Sequence, residues 1–180
     1  MHPLKRNNLK IVLIGISGSG KTTLGKMLAK YFKISFIEGD NFHSIKSKKK
    51  MKEGNSLNFQ DRLIWHKKIQ KKINLNNKWV LSCSALGVWQ REILSKKNQN
   101  LNFFHCSCSK EIIKKRLGLR VGHFFSPHLL DSQIESFEEP KEIPTIETSN
   151  CKSNCLKRIC KILKKNESSE SNNRSDLSRL

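Results

Sequence analysis

Acidic residues are scarce in this chain: 15 Asp and Glu stand against 35 Lys and Arg, a formal charge of +20 over 180 residues. That excess would suit a polyanionic partner, but arginine is scarce too, with 8 against 27 lysines. Readers of bases and phosphates draw on the bidentate arginine fork. The Lys-rich surface is therefore read as solvated cover that attracts small anionic substrates, with no nucleic-acid partner. No apolar run reaches the roughly 20 residues of a membrane span. The run after Met1-His-Pro-Leu-Lys-Arg6 is too short for a signal peptide and is already strand-like. None of the six cysteines (Cys83, Cys106, Cys108, Cys151, Cys155, Cys160) forms C-x-x-C, and no His lies at zinc-ligand spacing. A reduced, cytoplasmic protein is expected. Residues 166–180, rich in Ser, Asn and Glu, hold almost nothing to bury and are expected to be a disordered tail.

What is present starts at residue 15. Gly15-Ile-Ser-Gly-Ser-Gly-Lys-Thr22 satisfies every fixed position of the phosphate-binding pattern G-x-x-x-x-G-K-[ST]. Glycines let the backbone curl so that successive N–H groups meet phosphate oxygens. Lys21 places a charge on the β/γ-phosphates, and the Thr22 hydroxyl can complete a Mg²⁺ shell. The flanks agree. Lys10–Ile14 is a short apolar run suited to a buried parallel strand. Leu24, Met27, Leu28 and Tyr31 then follow at i, i+3, i+4, i+7, a helix whose N-terminus faces the phosphates. The chain is expected to bind a nucleoside triphosphate.

Strand-like runs at Lys10–Ile14, Ile34–Glu38, Lys78–Ser82, Leu101–Cys106 and Ile143–Thr148 alternate with helical stretches near Lys21–Phe32, Asp61–Ile73, Trp89–Lys96, Lys110–Arg120 and Asn154–Lys164. Alternation of this kind predicts an α/β fold of the P-loop NTPase type: a five-stranded parallel sheet flanked by helices on both faces, one domain over 9–165. Pro144 marks the fifth strand as an edge.

Ligands of such a sheet bind beyond the carboxyl ends of its strands. The second strand ends in Glu38-Gly-Asp40-Asn-Phe-His43. Asp40 there can face the γ-phosphate, as a proton acceptor or through Mg²⁺, or can cap the turn. His43 is a substrate contact or a turn-lining side chain. The run Lys46-Ser-Lys-Lys-Lys-Met-Lys52 reads as a solvated helical face. Asp61 is placed to cap the next helix. Arg62, in the first turn, opposes the helix dipole and so calls for an anionic partner. Trp65, Ile69 and Ile73 read as core. The third strand ends in Cys83-Ser84-Ala85-Leu86-Gly87, small residues that admit a substrate close to the backbone, with Arg91 one turn on. No acidic residue closes that strand, so metal handling falls to Thr22 and Asp40. Arg116 and Arg120, at i and i+4 beside Gly118 and Gly122, fit a small mobile lid over about 116–128 that closes positive charge over a transferring phosphoryl group.

These pieces occur in an order that resembles the gluconokinase family of small P-loop kinases. They are the loop at 15–21, Gly39-Asp40-x-x-His43, Asp61-Arg62-x-x-Trp65, Cys83-Ser84-Ala85-Leu86, Arg91, Arg120-x-Gly122-His123-Phe124-Phe125, Leu129-Leu130-x-Ser132-Gln133 and Glu139-Pro140. The resemblance implies a shikimate-kinase-like fold, ATP and Mg²⁺ as cofactors, phosphorylation of the 6-hydroxyl of D-gluconate, and a homodimer. It places ATP on Gly15, Ser17, Gly18, Ser19, Gly20, Lys21, Thr22 and Thr23, with Arg116 and Arg120 over the phosphates. Lys21, Asp40 and Arg120 become the catalytic set, Thr22 and Asp40 the metal set. Asp40, His43, Arg62, Ser84 and Arg91 face the sugar acid, and adenine lies near Thr148–Cys151. The chain departs from the family at Gly87, where Lys is usual, and at Ser95, where Arg is often found. Two alternatives remain: a kinase of another polyhydroxy acid such as shikimate, and a nucleotide-binding protein without transfer activity.

Overall fold

The computed structural model describes residues 8–98, 100–119 and 125–177. Five strands, β1 (Leu9–Ile14), β2 (Ser35–Glu38), β3 (Lys78–Ser82), β4 (Leu101–Ser107) and β5 (Thr145–Glu147), form one sheet in the order β2-β3-β1-β4-β5. Every pairing is parallel. The central strand shows how the sequence builds two cores. All six residues of β1 are buried, and successive side chains point to opposite faces. Leu9, Ile11 and Leu13 pack with α1 (Lys21–Phe32) and with Ile159 and Leu163 of the C-terminal helix. Val12 and Ile14 pack with Trp65, Ile69 and Ile73 of α3 (Phe59–Ile73) and with Leu94 of α4 (Val88–Ser95). A strand covered on both faces needs a continuous apolar run, and Ile11–Ile14 supplies it.

β5 is an edge strand, as Pro144 requires, but it is shorter than the sequence predicts. Pro144 lies just before it, with its carbonyl accepting from the His105 N–H at 3.0 Å. The Lys-rich run forms α2 (Ile45–Lys52), capped by the Ser44 hydroxyl, with Met51 turned inward. Asp61 is not the cap of α3. Asn58 is, and Asp61 closes a capping box three residues in, while also holding Lys50 at 2.6 Å. Then follow α5 (Lys110–Gly118) and, after a 3₁₀ turn at Pro127–Leu129, the short α6 (Leu130–Glu135).

The tail expected to be disordered is helical as far as Leu177, within α7 (Lys152–Leu177). Its last buried side chain among the described residues is Leu163, which is fully buried. Beyond it no Gly or Pro interrupts the chain. Once the docked half has met the cost of nucleation, each further residue adds one backbone hydrogen bond. A composition with nothing to bury excludes packing; it does not exclude helix.

Candidate active site

The carboxyl ends of β1, β2, β3 and β4 converge on the loop at 15–20. Gly15 has φ +132°, and a Cβ there would lie 2.5 Å from the carbonyl oxygen of Cys106, so no other residue fits. Its N–H donates to Ser84 O at 3.1 Å, tying the loop to the end of β3. Lys21 is buried and donates to Gly15 O at 2.7 Å and Ile16 O at 2.9 Å, which centres the ammonium inside the loop. Burial lowers its pKa from the ordinary lysine value, and the charge of Asp40 opposes that shift.

On one side of the loop lies a cleft lined by Gly18, Gly20, Thr23, Arg116, Thr148 and Asn150. Thr148 Oγ1 donates to Ser19 O at 2.7 Å, and Arg116 donates to Thr148 O at 2.8 Å and Gly18 O at 3.3 Å. Arg116 is thus a wall of this cleft, fixed to the loop and to the turn after β5, where the sequence places adenine. The expected lid arginine, Arg120, lies outside the described residues, as do Gly122, His123 and Phe124.

On the other side, a second cleft is lined by Asp40, His43, Arg62, Ser84, Gln90 and Gln133, among others. Asp40 sits in a 3₁₀ turn at Gly39–Phe42, directly after β2. Gly39 is required there, since a Cβ would meet Ser82 O at 2.6 Å. Trp65, read from the sequence as core, is core and wall together. Its Nε1–H donates to Gly39 O at 2.8 Å and its ring stacks on His43 at 4.0 Å between centroids. Burial pulls the pKa of His43 down to about 3, so its 3.9 Å approach to Asp40 is not an ion pair at neutral pH. Arg62 donates Nε–H to Leu57 O at 3.0 Å. No carboxylate meets its terminal NH₂ groups among the described residues, in keeping with an anionic ligand as partner.

Arg91, expected to face substrate, does not line this cleft. It is buried, and donates to Ala85 O at 3.0 Å, Leu86 O at 2.9 Å and Glu138 O at 3.2 Å. It holds the loop after β3, including Ala85 in the left-handed region at φ +39°.

Three contacts at this site are not specified by the sequence. Glu38 ends β2 beside Thr22, Lys21 and Asp40. Burial raises its carboxyl above the usual carboxylate range, with neighbouring Thr22 opposing. Its position two residues before Asp40 was the available signal. Gln133 of α6 accepts from the Ser17 N–H at 2.7 Å, tying α6 to the phosphate-binding loop across 116 residues of sequence. Thr148 reaches the loop across 129. Gln133 lies in the family-like piece at 129–133 and Thr148 in the stretch assigned to adenine, but no local pattern specifies either contact with the loop.

Comparison with known proteins agrees with this fold. A shikimate kinase family model matches residues 17–152. A probable gluconokinase of Dictyostelium discoideum is 40% identical over 148 residues, covering 77% of this chain and 74% of the relative. The thermosensitive gluconokinase of Escherichia coli K12 is 35% identical over 134 residues, covering 72% of each chain. The crystal structure of a gluconokinase from Sinorhizobium meliloti superposes with a TM-score of 0.77 at 30% identity, over 86% of this chain and 91% of that one. With its intact phosphate-binding loop between two clefts, the chain is a phosphotransferase of the ATP-using P-loop kinase type, and it belongs to the gluconokinase family.

Proposed function

We propose that the protein transfers the γ-phosphoryl group of ATP to the 6-hydroxyl of D-gluconate, giving 6-phosphogluconate and ADP. The observation that carries this reading is the pair of clefts meeting at one loop. The wall with Arg116 and Thr148 suits a nucleotide, and the wall with Asp40, Arg62 and Ser84 suits a small polyhydroxy acid. The relatives named gluconokinase supply the identity of the acid.

In this reading the loop amides and Lys21 hold the β- and γ-phosphates and neutralise charge as it develops on the transferring oxygens. Arg62 and Ser84 orient the acid, and Arg120 closes over the phosphoryl group. Asp40 takes the proton of the attacking hydroxyl as the O–P bond forms and ADP departs. Mg²⁺ fits the donor set, because the Thr22 hydroxyl and the carboxylates Glu38 and Asp40 are hard oxygen ligands gathered around Lys21. When bound, it would offset the negative charge of the phosphate oxygens.

The test is coupled ADP release with Mg-ATP against gluconate, shikimate and related sugar acids, with Lys21→Ala as blank. Turnover of gluconate above the blank is expected. Turnover of another acid alone would move the substrate, and ATP binding with no turnover on any acid would overturn the proposal.

A further inference from the structure

Gln90 stands at the third position of α4, where its side chain bends back so that Oε1 accepts from the Gly87 N–H at 2.6 Å. A backbone N–H can only donate, so the amide oxygen is committed to that contact and the NH₂ end is turned the other way. Gln90 is 2% exposed and lines the acceptor cleft with Asp40, Arg62 and Ser84. Among the described residues, no acceptor meets its NH₂ group. That NH₂ group is not shut off from solvent; it opens onto the cleft, where it can donate to water or to an oxygen-rich ligand.

The surroundings restrict what else can recognise a ligand on this wall. Gly87 is buried and carries no side chain, and a Cβ there would lie 3.1 Å from Glu138 Oε1 and 3.2 Å from the Trp89 ring. Glu138 in turn accepts from the Val88 N–H at 3.0 Å. The guanidinium of Arg91 is held on Ala85 O, Leu86 O and Glu138 O. The start of α4 therefore offers the cleft no cation, only the neutral donor of Gln90.

We propose that Gln90 is a specificity-determining residue, anchored through Oε1 and donating from its NH₂ group to a carboxylate or hydroxyl oxygen of the polyhydroxy acid. The proposal rests on the reading of this cleft as the acceptor site. A helix-capping role would use Oε1 alone, and that difference gives the test.

Gln90→Glu keeps an oxygen for the Gly87 N–H but replaces the donor with an acceptor facing an anionic ligand. Steady-state kinetics of the full chain, with gluconate and Mg-ATP varied separately, should show the KM for gluconate raised at least 30-fold. The KM for ATP and the Tm should stay close to wild type. Gln90→Met, which also loses the anchor, should lower Tm as well. A gluconate KM for Gln90→Glu within threefold of wild type would reduce Gln90 to a cap and overturn the proposal. Wild-type protein that turns over no sugar acid would instead remove the reading of the cleft, and this proposal with it. Turnover of a different acid moves the same comparison to that acid.

Discussion

Replacing Arg91 by Ala removes the donors that hold the carbonyls of Ala85, Leu86 and Glu138. Hydrogen bonds from a charged group contribute about 1.5–3 kcal/mol each, and leaving buried acceptors unsatisfied adds to the loss. Partial relaxation and water entry reduce the simple sum, so a net destabilisation of about 3–5 kcal/mol is expected. For a chain of this size that lowers Tm by about 10 °C. The backbone adds to the effect, because Ala85 lies at φ +39° and stays there only while its neighbours hold it. Arg91→Lys, a single point donor, should recover only part of the loss. Urea unfolding of both variants beside wild type measures it, with gluconate KM as the second readout. A variant Arg91→Ala within 1 kcal/mol of wild type but with a greatly raised gluconate KM would refute the scaffold role and return Arg91 to the substrate.

Three further outcomes follow from the same geometry. His43 and His66 are held neutral by burial, at about 3 and about 4, below the ordinary histidine value. The unfolded chain therefore binds more protons below about pH 6.5, and stability should fall as pH drops from 6.5 towards 4, by up to about 2.7 kcal/mol per pH unit while both titrate. Urea midpoints against pH measure this, and a flat profile over that range would contradict the burial of both rings. Gly15→Ala forces a Cβ to within 2.5 Å of Cys106 O and should abolish nucleotide binding by calorimetry. Removing residues 166–180 should leave Tm and turnover unchanged, since the last buried apolar side chain of α7 among the described residues is Leu163.

Local signals carried much of this protein. The glycine spacing of 15–20 dictates a loop whose backbone only glycine can follow, and the apolar run before it dictates a strand buried on both faces. The stripes at 24–31 and 156–163 dictate helices docked on one side of the sheet. Asp40 and Arg62 were legible because a carboxylate at a strand end, or a cation at the wrong end of a helix dipole, is anomalous without a ligand. Helix ends were less legible, because capping is decided by which of several polar side chains reaches the N–H: Asn58 took the place expected of Asp61.

What the sequence by itself determined is the phosphate-binding loop, the parallel α/β architecture and the class of chemistry, because periodicity and steric permission act over a few neighbouring residues. What only the tertiary structure decided is which side chains line the two clefts and which hold the loops between them. Arg91 could be substrate contact or scaffold until the loop at 85–86 folded onto it. Thr148 and Gln133 meet the loop at 15–20 across 129 and 116 residues. Such contacts depend on where the whole sheet brings distant segments, and no local pattern encodes that.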